Sequence, residues 1–135
     1  MPTPIAAPTT TETFSGTLQQ FGNFQYQFKV NENSEVHVTL KSAATVAVAA
    51  NPDADPPVAA KPAVPVSYPL TVTVGQTTIS TLGVACTNLK QVKTAPGDSP
   101  QLKGQALTGT YCVDISDADG ALPEPITFTV TIAHS

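Results

Sequence analysis

The feature that most limits how this chain can fold is strict two-residue alternation. Phe24, Tyr26, Phe28 and Val30 alternate with Asn23, Gln25, Gln27 and Lys29, and Ile126, Phe128, Val130 and Ile132 alternate with Thr127, Thr129 and Thr131. Successive side chains of a strand point to opposite faces, so each stripe has one face for a core and one for water. Phe14, Gly16 and Leu18 share one parity, as do Val36, Val38 and Leu40, and Tyr111, Val113 and Ile115. Turn-forming stretches separate these runs: Gln19–Asn23, Asn31–Ser34, and Asp117–Pro125 with its Asp119-Gly120 pair. No stretch places apolar residues at i, i+3, i+4 and i+7, so essentially no α-helix is expected. Short alternating strands between turns predict an all-β chain folded as an antiparallel β-sandwich. The expected interior is Phe14, Leu18, Phe24, Tyr26, Phe28, Val36, Val38, Leu40, Tyr111, Val113, Ile115, Phe128, Val130 and Ile132.

The remaining segments read less regularly. Residues 1–11 are rich in proline and threonine and read as a tail or linker, leaving 12–135 as a single domain. Ala43–Ala50 carries Val46 and Val48 in phase, a weaker strand. Residues 51–63 hold Pro52, Pro56, Pro57 and Pro62, which predicts an extended surface loop. Val64, Val66, Tyr68, Leu70, Val72 and Val74 share a parity, with Pro65 and Pro69 on the other. Both missing donors would lie along one lateral side, so 64–74 is expected as one strand at a sheet edge, with a loop over 62–69 and a strand from near Leu70 as the alternative. Gly75–Thr78 reads as a turn, Ile79–Cys86 as a strand interrupted at Gly83, and 87–104 as a long loop with at most one short strand.

Composition excludes several classes. Six basic residues against ten acidic ones, for a net charge of −4, leave no electrostatic footprint for nucleic acid or an anionic membrane. No apolar run approaches the ~18 residues needed to span a bilayer. No signal peptide is visible, and Pro2–Thr9 reads as a mature tail rather than a hydrophobic leader. Cys86 and Cys112 are the only cysteines, too few for a zinc site and not spaced as C-x-x-C. They are either two buried thiols or a disulfide. The disulfide is the favoured reading, because Cys112 sits opposite Tyr111, Val113 and Ile115, where an unpaired thiol would be a liability. A disulfide places the protein outside a reducing cytosol.

The acidic run Asp114-Ile-Ser-Asp-Ala-Asp-Gly supplies candidate calcium ligands in Asp114, Asp117 and Asp119. Calcium wants about 6–8 oxygens, so backbone carbonyls would have to complete the shell. The alternative is ordinary turn chemistry, in which case no cofactor is required. Asp53 and Asp55 are weaker candidates among their prolines. His37 and His134 have no local nucleophile motif and are expected to face solvent. Tyr26 and Tyr111 have core parity. With no tryptophan, a carbohydrate platform is not indicated. The ladder Thr127, Thr129 and Thr131 reads as a strand's solvent face, with a flat polymer-binding face as the alternative.

Taken together, Glu12-Thr-Phe-Ser-Gly-Thr-Leu, Phe24–Val30, Val36-His-Val-Thr-Leu, Gly109-Thr-Tyr-Cys-Val-Asp-Ile and Phe128-Thr-Val-Thr-Ile-Ala-His resemble the bacterial pre-peptidase C-terminal domain family, over residues 12–134. The resemblance implies a jelly-roll-like sandwich exported from a bacterium, secreted or at the cell surface, and non-catalytic. In that family the module accompanies secreted peptidases and other exoenzymes, and some members bind calcium or a polymer. The chain departs from it in its long 51–63 loop. The expected function is an extracellular module that binds a protein or polymer, or spaces other parts. The alternative is a self-assembling structural subunit of a filament or surface layer. An enzyme is not expected.

Overall fold

The structure, a computed structural model, describes residues 8–81 and 83–135. Eight strands run in order: β1 (Thr10–Leu18), β2 (Asn23–Val30), β3 (Ser34–Thr45), β4 (Leu70–Ser80), β5 (Gly83–Thr94), β6 (Leu102–Ala106), β7 (Gly109–Ser116) and β8 (Ile126–His134). There is no helix among the described residues. One four-stranded sheet has the order β1-β8-β3-β6 and the other β2-β7-β4-β5, with all neighbours antiparallel. Every connection crosses from one sheet to the other except the β4–β5 hairpin. That wiring is a jelly roll, the two-sheet sandwich the alternation required.

The inward stripes meet where their parity predicts. Phe28, Val38, Leu40, Val113, Ile115, Phe128, Val130 and Ile132 are buried, joined by Val30, Leu70, Val72, Leu122 and Ile126. Phe14, Leu18, Val36 and Tyr111 are also buried, while Phe24 and Tyr26 are half-buried against the same core. Residues 1–7 of the expected tail lie outside the described residues. Thr10 and Thr11, assigned to that tail on composition, pair with His134 and Ala133 of β8.

β3 runs on to Thr45, so Ala43–Ala50 is not a separate strand, and Ile79–Cys86 divides between the end of β4 and the start of β5. Three further expectations need correction. The run Val64–Val74 is not one edge strand. β4 begins at Leu70 and lies inside its sheet, between β7 and β5. An interior strand needs every backbone donor, and Leu70–Ser80 contains no proline. Pro65 and Pro69 instead mark the crossover between sheets. At its start the Val66 amide donates to Ala43 O at 2.9 Å, so this segment touches β3. Val64 is exposed, while Val66 and Tyr68 pack against the core. Second, Gly75–Thr78 is not a turn: β4 runs through it to Ser80, with a register shift between Val74 and Gly75. Third, 87–104 is not mainly loop. It contains the end of β5 and the start of β6. The stretch Thr87–Lys93 hides its strand character because an edge strand needs few apolar residues.

Between β3 and β4 the chain leaves the sandwich as a proline-rich arm. The Thr45 amide donates to Val64 O, Val48 and Lys61 exchange two amide bonds, and so do Asn51 and Val58, at 2.8–2.9 Å. Pairing recurs every third residue on both sides, the repeat of a polyproline II backbone rather than of a strand. Pro52, Pro57 and Pro62 each fall one position off a paired residue, so no paired position lacks its donor.

Candidate functional site

The two flanks of the sandwich differ. Along β1 and β2 the gap between sheets is filled by aromatic rings. Phe14 stacks on Tyr26 with centroids 4.5 Å apart, and Phe24 meets Phe128 edge-on at 5.5 Å. Gly16 leaves room for this, since a Cβ there would lie 2.8 Å from the Phe24 ring. The Tyr26 hydroxyl donates to Glu12 Oε1 at 2.8 Å, and Glu12 Oε2 faces His134 Nε2. The bond to Glu12, with burial, holds Tyr26 above the ordinary phenol value of 10.0. His134 is therefore not the solvent-facing residue expected. It is buried, its ring 5.3 Å from Phe28, because β8 carries its even parity inward to the last pair of the β1 ladder. His37 does lie on the outer face, with Nε2 3.0 Å from Glu35 Oε2.

Along β5 and β6 the sheets part. The shift at Val74/Gly75 leaves Leu89 unpaired between Lys90 and Asn88. The opening is a cleft of about 260 Å³. Val36, Val74, Leu102, Ala106 and Tyr111 form its floor and walls, Leu89 one lip, and Lys90, Lys103 and Gln105 the polar rim. Leu89 is 59% exposed and the adjoining Leu107 68%, while the Tyr111 hydroxyl is tied to Leu107 O at 2.9 Å. Lys90 donates to the Lys103 carbonyl, and neither ammonium has a carboxylate partner among the described residues. The lining thus offers apolar surface with two positive charges and no nucleophile–base pair. Sequence reading missed this cleft, because the part of β5 from Thr87 to Thr94 reads as loop. The one signal was Leu89 and Leu107 standing alone among polar neighbours.

The disulfide joins Cys86 to Cys112, with Cα atoms 5.9 Å apart. These residues lie on β5 and β7, which are separated in the sheet by β4. The strand between is crossed at Gly75, which pairs with Cys112. A Cβ at Gly75 would lie 2.7 Å from Cys86 Sγ and 2.4 Å from Thr87 O, so only glycine fits under the bridge.

The three candidate calcium ligands have separate engagements. Asp117 is buried and accepts the amides of Phe21, Ala121 and Leu122 at 3.3, 2.9 and 3.1 Å, pinning the β1–β2 turn to the β7–β8 loop. Asp119 pairs with Lys93. Asp114 accepts from Asn23 Nδ2 at 3.1 Å, and partial burial raises its pKa above the usual 3.8 despite that bond. No group of three acidic, histidine or cysteine side chains gathers as a metal site among the described residues. Above this loop Phe21, 70% exposed, adopts φ 57° with its ring over Gly120. Thr127, Thr129 and Thr131 pair across the ladder with Thr17, Ser15 and Thr13, and the Ser15 and Thr129 hydroxyls are 3.2 Å apart. No helix among the described residues is long and apolar enough to cross a membrane. A scan against protein-family models finds no match to this chain, and no curated protein matches it.

Proposed function

We propose that this chain is a non-catalytic, exported binding module that takes a protein segment into the β5–β6 cleft. The observation that carries the reading is an open apolar cleft whose two rim lysines lack anionic partners, in a chain of net charge −4. Apolar surface left open with matched charge at its rim is the pattern of an interaction site. The bordering strands add to it. β5 and β6 are each paired on one side only, so an extended segment would meet unpaired backbone as well as the apolar floor. The disulfide fits a secreted or surface location. Likeness of the strand pattern to bacterial pre-peptidase C-terminal domains fits an accessory role beside secreted enzymes.

The test is a titration of the isotope-labelled chain with a short synthetic peptide alternating Asp or Glu with Val or Leu. Saturable amide shifts over Leu102–Ala106 and at Tyr111 are expected, and their loss in Lys90→Glu with Lys103→Glu. Shifts that are absent, or equal for a peptide with Lys and Arg as its charges, refute the reading.

A further inference from the structure

We infer that the occupant of the β5–β6 cleft is the tip of the proline-rich arm of a second copy of this chain, so that copies join head to tail. The inference rests on the reading that the cleft holds a protein segment.

The tip spans Asn51–Val58 and is exposed almost throughout. Its charges are Asp53 and Asp55, which have no cationic partner among the described residues. The cleft rim carries Lys90 and Lys103, equally without carboxylate partners among the described residues, so the two surfaces have opposite charge and equal formal magnitude. Beside the two aspartates stand Pro56, Pro57 and Val58, whose apolar surface matches the cleft floor. Arm bonds at every third residue pre-order the tip, which lowers the entropy lost on docking.

An arm cannot reach the cleft of its own copy. It leaves the end of β3 and lies against Thr17, Glu124 and Pro125, with Lys61 Nζ 3.4 Å from Glu124 Oε2. That is the β1/β8 flank, whereas the cleft opens on the β5/β6 flank. A contact between two different surfaces of one chain is heterologous, and it propagates into a filament unless its rotation closes a ring. Lysines also guard edge strands against unwanted pairing. That role accounts for Lys90 and Lys103 but not for the exposed Leu89 and Leu107, nor for an exposed apolar arm with two free carboxylates.

Sedimentation velocity of the full chain, from micromolar to millimolar at low and high salt, tests this. Average mass should rise with concentration, and less so at high salt. Asp53→Lys with Asp55→Lys, and separately Lys90→Glu with Lys103→Glu, should each weaken association about tenfold or more while the melting curve stays unchanged. Mixing the two variants should restore association, because every arm then meets a cleft of opposite charge. A wild-type chain that stays monomeric, a mixture that fails to associate, or assembly that survives the cleft reversal overturns the inference. If the acidic peptide still binds the cleft in any of these cases, only the second-copy occupant is wrong; if it does not, the binding reading falls too.

Discussion

Replacing both cysteines by alanine removes the bridge across β4 without leaving a free thiol. The bridge closes a segment of sequence separation 26. The loop-entropy relation gives about 12 cal/mol/K for that length, or about 3.5 kcal/mol at 25 °C. Cys112 is fully buried, and its lost sulfur contacts add roughly 1 kcal/mol. At about 2.1 cal/mol/K of unfolding entropy per residue, the entropic part alone lowers the melting temperature by about 12 °C. Calorimetry of the oxidised wild type against Cys86→Ala/Cys112→Ala measures this directly. Urea unfolding supplies a second readout: the m-value should rise as the unlinked chain expands. A melting temperature within about 3 °C of wild type, with an unchanged m-value, would refute the reasoning. Gly75→Ala extends the test. In the oxidised chain the new methyl conflicts with both Cys86 Sγ and Thr87 O, and without the bridge only the Thr87 conflict remains. Its cost should therefore be smaller in the double-alanine background, a coupling that a double-mutant cycle reads.

Phe28→Ala should cost about 3–5 kcal/mol by denaturant unfolding, because the ring is buried against Tyr111 and His134. Tyr26→Phe should cost about 1 kcal/mol at neutral pH. Tyr26 is raised in the folded state, so its stabilisation is complete below pH 10 and lost as pH rises further, and the phenylalanine variant should lack that alkaline loss. Asp114 has the same sign: its folded-state pKa is raised, so stability falls as pH climbs through 3.8 and above. Asp114→Asn should accordingly raise the melting temperature at pH 7, with the difference vanishing below the unfolded pKa. Thr77 Oγ1 is buried without a hydrogen-bond partner among the described residues, so Thr77→Val should stabilise by about 1 kcal/mol in the same unfolding assay.

Much of the sandwich was legible because parity is a local code. Where one face is buried and one wet, as in β2 and β8, seven or eight letters suffice to place every side chain. The code fails where a strand is wet on both faces or buried on both. β5 displays Thr87, Asn88, Lys90, Gln91 and Lys93 to solvent at a sheet edge, and its sequence looks like loop. Val64, Val66 and Tyr68 kept β4's parity by accident of the crossover, so they looked like its continuation. The β5–β6 cleft was illegible for a related reason: its lining comes from several strands distant in sequence, and no local pattern records it. The disulfide could be favoured from the placement of Cys112, but that it crosses a strand at Gly75 is a fact of three dimensions. Asp117 stood as a calcium candidate beside the ordinary-turn reading, because clustered carboxylates carry the same letters whether they bind a cation or three backbone amides.

The pairing of Thr10 with His134 has a mechanical meaning. The Thr9 amide reaches His134 O, so residues 9 and 134 sit side by side at one pole. A pulling force applied through these two points loads the β1–β8 ladder from its end and breaks its cross-strand bonds in succession, like a zip, instead of shearing all nine pairs at once. The sandwich should therefore yield at low force. It would not yield completely, because the bridge from Cys86 to Cys112 withholds about 90 Å of contour at about 3.4 Å per residue. Under tension the molecule behaves as an extensible link with a fixed stop.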